Sequence, residues 1–393
     1  MISKEMVRLG TARSVIREIF EFGKGRAAVV GEENVLDFSL GNPSIPAPAA
    51  VQDAIRDMID NLPPKAYHSY TSSVGDNNTR TAIAENLNRR FGTKYTMNNV
   101  FMTCGAAASL NITFRALIAS PEDEIMVCVP YFPEYKVFIE GQGGKVVLVP
   151  PTKELHIDVA ELEKKVTKNT KAIVINSPNN PSGVIYPESN LKEVCSVLKK
   201  KSEEYGSPIY IITDEPYREL VYTDVKPAHI PLLYDNTIIN YSWSKSLSLP
   251  GERIGYILVP SSVVNYDEVY AAVGGAARTL GYVCAPSMFQ RVVEKCIDVE
   301  MDMSVYKKNR EILYENLTKL GYNLAKPDGA FYMFIETPEK DGEAFCERAK
   351  KYDLLLVPGI GFGTKEYVRL AYCVDTQKIE KSIAVFKKLI EEK

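Results

Sequence analysis

Ser242-Trp243-Ser244-Lys245, continued by Pro250-Gly251-Glu252-Arg253-Ile254-Gly255, directly follows the apolar run Ile238–Tyr241. That run reads as a buried strand, so the lysine sits just past a strand end, where ligands of open α/β sheets gather. A lysine amine condenses with an aldehyde only when deprotonated, a state that burial or a nearby cation favours. Arg253, eight residues on, can clamp a phosphate, with Ser242 and Ser244 as hydroxyl donors. Taken alone, Lys245 reads as one more surface lysine. Its position and company argue otherwise.

Outward from this point the pattern alternates. Short apolar runs recur at Val100–Thr103, Ile125–Val129, Lys145–Val149, Ala172–Ile175, Ile209–Ile212 and Tyr256–Val259. Most are flanked by Pro, Gly, Asn or Asp, and helical stretches lie between them, as at Gly105–Ile118, Asp158–Val166 and Glu188–Tyr205. Near-continuous buried strands alternating with helices predict an α/β layer on a mainly parallel sheet. Past Pro286 the character changes to a long helix at Met303–Leu320, strands at Ala330–Ile335, Leu354–Val357 and Tyr367–Tyr372, and a final amphipathic helix. We therefore expect an N-terminal arm with part of the small domain at 1–45, a large domain at 46–285, and a smaller α+β domain at 286–393. In the arm, Ala12, Val15, Ile16, Ile19 and Phe20 share one helical face that should pack on something, a partner subunit included.

Composition narrows the chemistry. The chain has 393 residues, 45% hydrophobic and 25% charged, with a formal net charge of −3. No basic field is present to recruit nucleic acid or anionic lipid. Seven dispersed cysteines without a CxxC pair suggest reduced thiols rather than zinc or a disulfide framework. The three histidines lack ligand spacing, and no metal is expected. The opening residues lack a secretory apolar stretch, and no segment approaches the roughly 20 apolar residues that span a bilayer. Cytoplasmic small-molecule chemistry is the expectation.

Further segments carry candidate chemistry. Asp214, in Ile212-Thr213-Asp214-Glu215-Pro216-Tyr217, ends an apolar strand. It can hold a ring nitrogen protonated, or simply cap the next turn. Tyr217 can donate to a phenolic oxygen. The run Asn176-Ser177-Pro178-Asn179-Asn180-Pro181-Ser182-Gly183 is a rigid loop, or offers the Asn180 amide to a ligand. Thr103-Cys104-Gly105-Ala106-Ala107-Ala108 lets backbone N–H groups approach an anion at a helix N-terminus. Phe132 stacks on a planar ring or belongs to the core. Arg369, between Val368 and Leu370, is costly in a strand unless it meets an anion: a substrate carboxylate, or a structural ion-pair partner.

In this order and spacing the chain resembles the fold-type I pyridoxal-phosphate family, specifically the class I/II aminotransferases related to aspartate aminotransferase. The resemblance runs from about Gly41 to the C-terminus and rests on Asn-Asn-Pro-Ser-Gly, Asp-Glu-Pro-Tyr, Ser-x-Ser-Lys, Gly-x-Arg-x-Gly and a late arginine. It implies a seven-stranded, mainly parallel sheet sandwiched by helices, and pyridoxal 5′-phosphate bound to Lys245, the base that then moves the Cα proton. It further implies Asp214 at the pyridine nitrogen, Asn180 and Tyr217 at the ring oxygen, and Phe132 on the ring face. Gly105, Ala106, Ala107, Ser242, Ser244 and Arg253 would bind phosphate, with Arg369, Gly41 and Asn180 at the substrate carboxylate. Tyr70 matches the tyrosine that reaches a neighbouring subunit's phosphate, implying a homodimer. Two departures stand out: Ala106-Ala107-Ala108 lacks the usual hydroxyl donors, and Gly359–Lys365 lacks a longer insertion before the arginine strand.

The expected activity is amino transfer between an L-amino acid, aspartate by resemblance, and a 2-oxo acid, with ping-pong kinetics. A C–S β-lyase of the cystathionine or cysteine type shares these motifs. Ser242-x-x-Lys245 also fits penicillin-recognising serine hydrolases, but the Ser-Asp-Asn and Lys-Thr-Gly partners are missing from the sequence. For a distal side-chain carboxylate, Arg13, Arg17 and Arg278 are the candidate cations, while Ala107 offers none.

Overall fold

The computed structural model describes residues 2–11 and 15–392. Its largest element is a seven-stranded sheet. In spatial order the strands are Val100–Thr103, Gly255–Leu258, Thr237–Ser242, Tyr210–Asp214, Thr170–Asn176, Glu124–Cys128 and Lys145–Val149. Gly255–Leu258 runs antiparallel to both neighbours, and every other pairing is parallel. This is the mainly parallel sheet that the alternating apolar runs predict.

Both faces are covered, which is why the strands read as unbroken apolar runs. Ile173, Ile175 and Ile211 pack with Leu191, Val194 and Leu198 of helix Glu188–Tyr205. The intervening Ala172, Val174 and Ile212 face the other way, onto Leu110 and Phe114 of helix Ala106–Leu117 and Val273 of helix Tyr266–Leu280. The period of two sends successive side chains to opposite layers. Ile211 and Ile212 are fully buried, and truncating either to alanine should cost about 2–5 kcal/mol.

A second, antiparallel sheet has the order Val357–Pro358, Tyr367–Ala371, Tyr332–Glu336, Asn323–Leu324. The apolar run at 354–357, expected as one strand, is divided. Leu354–Leu355 pairs in parallel with Leu36–Asp37, whereas Val357–Pro358 joins Tyr367–Ala371. The N-terminal arm forms helices Lys4–Thr11 and Val15–Val30. Ala12 lies outside the described residues, but Ile19 is buried with Leu355 and Val357 of the same chain. Helix Val15–Val30 of the arm therefore packs on its own chain, while helix Lys4–Thr11 buries no residue there.

Because six strands of the large sheet share one direction, their C-terminal ends open onto one edge. There the turns after Thr103, Cys128, Asn176, Asp214 and Ser242 gather, beside the turn before Gly255. The register aligns Asn176 with Asp214, and Ser242 with Gly255 and Thr103 with Gly255. Arg369, paired with Phe334 and Val357 in the small sheet, reaches the same edge.

Candidate active site

A cavity of about 290 Å³ occupies this edge. Its walls include Gly41, Ala106, Ala107, Phe132, Asn180, Asp214, Tyr217, Ser242, Ser244, Lys245, Arg253 and Arg369. Segments far apart in sequence thus converge on one space. Gly105 lies directly behind the wall, against Arg253.

Lys245 stands on the short helix Trp243–Ser246 and donates from Nζ to the Gly41 carbonyl at 2.7 Å. Burial pulls its amine down to about 8. Cys373 opposes that shift, and the like charges of Arg369 and Arg253 add to it. Gly41 is required there, because a Cβ would come within 1.9 Å of the Tyr332 hydroxyl. Ser242 Oγ is directed to Ser244 Oγ at 3.0 Å, while the lysine is directed to Gly41. The serine–lysine pairing of a serine hydrolase is therefore not formed.

Asp214 ends its strand buried. Its Oδ2 accepts a 2.5 Å hydrogen bond from the Tyr135 hydroxyl, and its Oδ1 is buried with no partner. Burial raises this carboxyl to about 7; the Tyr135 bond works against the rise and Glu215 adds to it. A half-satisfied buried carboxylate is expensive unless something meets the free oxygen.

Arg369 is buried and presents a similar vacancy. Nη2 donates to Ser39 O at 2.6 Å and Nη1 to Asn180 Oδ1 at 3.2 Å, while Nε has no partner. No carboxylate pairs with it among the described residues, so the structural ion-pair alternative is not realised. Burial holds its pKa below the usual arginine value, and its guanidinium lies 4.7 Å from the Tyr332 ring and 4.9 Å from the Phe362 ring.

On the opposite wall, helix Ala106–Leu117 begins after Gly105, whose φ of +83° is in the left-handed region. A Cβ on Gly105 would stand 2.9 Å from Arg253 Nη2. The first-turn amides, with no intrahelical acceptor, share this wall with Arg253, Ser242 and Ser244. Phe132 lines the cavity with Tyr135 edge-on behind it, 5.6 Å between ring centres. Tyr217 donates to or accepts from Tyr332 at 3.1 Å.

Residues 33–386 match the family described as aminotransferase class I and II. The aspartate aminotransferase of Pyrococcus horikoshii is 30% identical across 96% of this chain and 95% of its own. The solved aminotransferase of Eubacterium rectale is 52% identical, with a TM-score of 0.98 over 100% of this chain and 99% of its own. That of Thermotoga maritima, an aspartate aminotransferase, is 28% identical with a TM-score of 0.87, covering 99% and 100%.

The chain belongs to the class I and II aminotransferases.

Such aminotransferases use pyridoxal phosphate, and the residues present fit it. An orphaned carboxylate oxygen suits a ring N–H, a buried amine of lowered pKa suits an aldehyde, and an arginine beside free helix amides suits a phosphate. No cluster of side chains capable of holding a metal occurs among the described residues.

Not every candidate reaches the cavity. Tyr70 is 95% exposed and contributes nothing to its wall. Arg17 and Arg278 do not line it either, and Arg13 lies outside the described residues. Conversely, the wall includes Ile16, Leu40, Asn176 and Tyr332, which the motifs do not single out, and Tyr135 stands behind Asp214. For Tyr135 one signal existed: it lies three residues after Phe132, on the helix that begins at Glu134.

Proposed function

We propose that this aminotransferase binds pyridoxal 5′-phosphate on Lys245 and transfers the amino group of an L-amino acid to a 2-oxo acid by alternating half-reactions. The observation that carries this reading is the unpartnered, buried Asp214 Oδ1 facing a cavity that also holds Lys245.

When bound, the cofactor supplies an aldehyde that captures amines and a pyridinium that accepts electrons from Cα. Lys245 would hold the cofactor through its aldehyde and, as a free amine, its Nζ would be the base that takes the proton from the substrate Cα. Asp214 keeps the ring nitrogen protonated through Oδ1, and Asn180 and Tyr217 hold the phenolic oxygen. Phe132 covers one ring face and excludes water from it. Arg253, Ser242, Ser244 and the amides of Gly105, Ala106 and Ala107 hold the phosphate. Arg369, assisted by Gly41 and Asn180, grips the α-carboxylate with its planar fork. Tyr70, exposed on this subunit, reaches the phosphate of a second copy, making a homodimer with shared sites the proposed assembly. The division at residues 45 and 285 and a cytoplasmic setting belong to the same reading, the latter supported by seven free cysteines.

Aspartate is the first donor to test, since relatives at about 30% identity carry that name. Besides Lys245, Arg253 and Arg369 the described wall holds no cation, so a distal carboxylate would be met by one from beyond it. Mixing the holoprotein with aspartate, glutamate, alanine and aromatic amino acids should convert the cofactor from its aldehyde to its amine form, with one oxo acid released per site. Thiol and pyruvate release from cystathionine without that conversion would instead establish the β-lyase reaction.

A further inference from the structure

Tyr135 is assigned no part in the motif set, yet it touches two of its members. It rises from helix Glu134–Gly141, fully buried, with its hydroxyl 2.5 Å from Asp214 Oδ2. Its ring stands edge-on to Phe132, at 83° between the planes. The hydroxyl is the one side-chain donor that the described residues offer the Asp214 carboxylate, and it engages Oδ2, leaving Oδ1 without a partner.

We propose that Tyr135 is a positioning residue: its hydroxyl fixes the Asp214 carboxylate so that Oδ1 meets the ring nitrogen, while its ring braces Phe132 over the same ring. The proposal rests on the cofactor reading above.

The physical case has two parts. A carboxylate with one oxygen anchored cannot rotate freely about its terminal bond, so the free oxygen is pre-aimed and little ordering remains to be done on binding. Oδ2 would otherwise be a second buried acceptor without a donor, and Asp214 would take up a proton to relieve the cost. A protonated carboxyl cannot offer a charge to the ring N–H. The ionisable groups around the pair all act in the same direction. Glu215 disfavours charge on Asp214, and Tyr217 and Tyr186 disfavour charge on Tyr135, which burial already holds neutral. Tyr135 is therefore a lasting donor, not a competing anion.

Tyr135→Phe removes the hydroxyl and keeps the brace. The test is equilibrium titration of the cofactor-free chain with two ligands: pyridoxal phosphate, and its analogue with carbon in place of the ring nitrogen. Charge-assisted hydrogen bonds of this type lead us to expect about ten-fold weaker binding of pyridoxal phosphate, with analogue binding unchanged within about two-fold. In an Asp214→Asn background the same change should have no further effect on pyridoxal phosphate affinity. The acid limb of kcat should move to higher pH in Tyr135→Phe, while KM for the amino acid stays near that of the parent. Equal loss for both ligands, or no loss for either, overturns the proposal. An unchanged thermal midpoint of the cofactor-free variant excludes simple misfolding. If neither ligand binds the parent chain at Lys245, it is the cofactor reading that fails.

Discussion

Arg369 donates through Nη1 to Asn180 Oδ1 across 3.2 Å, tying the small sheet to the turn that follows a large-sheet strand. One side chain comes from the small sheet and one from a turn at the edge of the large sheet, so under the proposed reading the two together would place the substrate carboxylate. The guanidinium is left with an unpartnered Nε in a buried setting. An unpartnered Nε at such depth fits the proposed carboxylate-binding role, since structural arginines there are normally paired.

Arg369→Lys keeps the charge but loses the fork. Losing one charge-assisted hydrogen bond of the fork is worth about 1.5–3 kcal/mol, so kcat/KM for amino acids should fall by about ten- to a hundred-fold. Cofactor affinity should hold within a few-fold. Steady-state kinetics and a cofactor titration separate the two, and parallel losses in both would show that Arg369 serves the fold instead.

The pH dependence of cofactor capture follows from two opposed shifts. Lys245, lowered to about 8, becomes a free amine as pH rises through that value. Asp214, raised to about 7, loses its charge as pH falls through that value. The capture rate of the cofactor-free chain should therefore rise between pH 7 and 9 and then level, while equilibrium affinity should weaken below pH 7. Stopped-flow absorbance across this range checks both limbs. A capture rate that is flat to pH 9 and climbs only near the ordinary lysine range would contradict the burial of this amine.

Gly105 is constrained twice, by its φ of +83° and by Arg253 standing where a Cβ would go. Gly105→Ala should displace the guanidinium from the helix N-terminus. The expected outcome is at least about a ten-fold rise in the dissociation constant for pyridoxal phosphate, the worth of one charge-assisted hydrogen bond. Binding of pyridoxal, which lacks the phosphate, should change little.

What could be read from the sequence divides along physical lines. Strand ends are legible because Asn, Asp, Gly and Pro punctuate apolar runs, which puts Lys245, Asp214 and Asn180 each just past or at a strand end; that they share one site is what the family resemblance implies. The division of Leu354–Val357 was not legible, since four consecutive apolar residues carry no register. Helix Tyr266–Leu280 is hidden by Gly274-Gly275 and neighbouring alanines, which blunt its apolar stripe. Tyr332 reads as a core strand residue, because alternation cannot say which layer borders a cavity. Tyr135 sits on an eight-residue helix three residues after Phe132; that spacing is its one local signal, and it does not show a hydroxyl aimed at Asp214 across 79 positions of sequence. A cation for a distal carboxylate is not legible either, because a pocket wall assembled from distant turns leaves no local pattern in sequence; Arg17 and Arg278 do not line this cavity.

The most direct measurement is borohydride reduction of the purified holoprotein, followed by peptide mapping for the phosphopyridoxyl adduct. The account predicts one modified residue, Lys245, and no adduct at any site in Lys245→Ala. Label on another lysine of the unaltered chain, with Lys245 left bare, would contradict it.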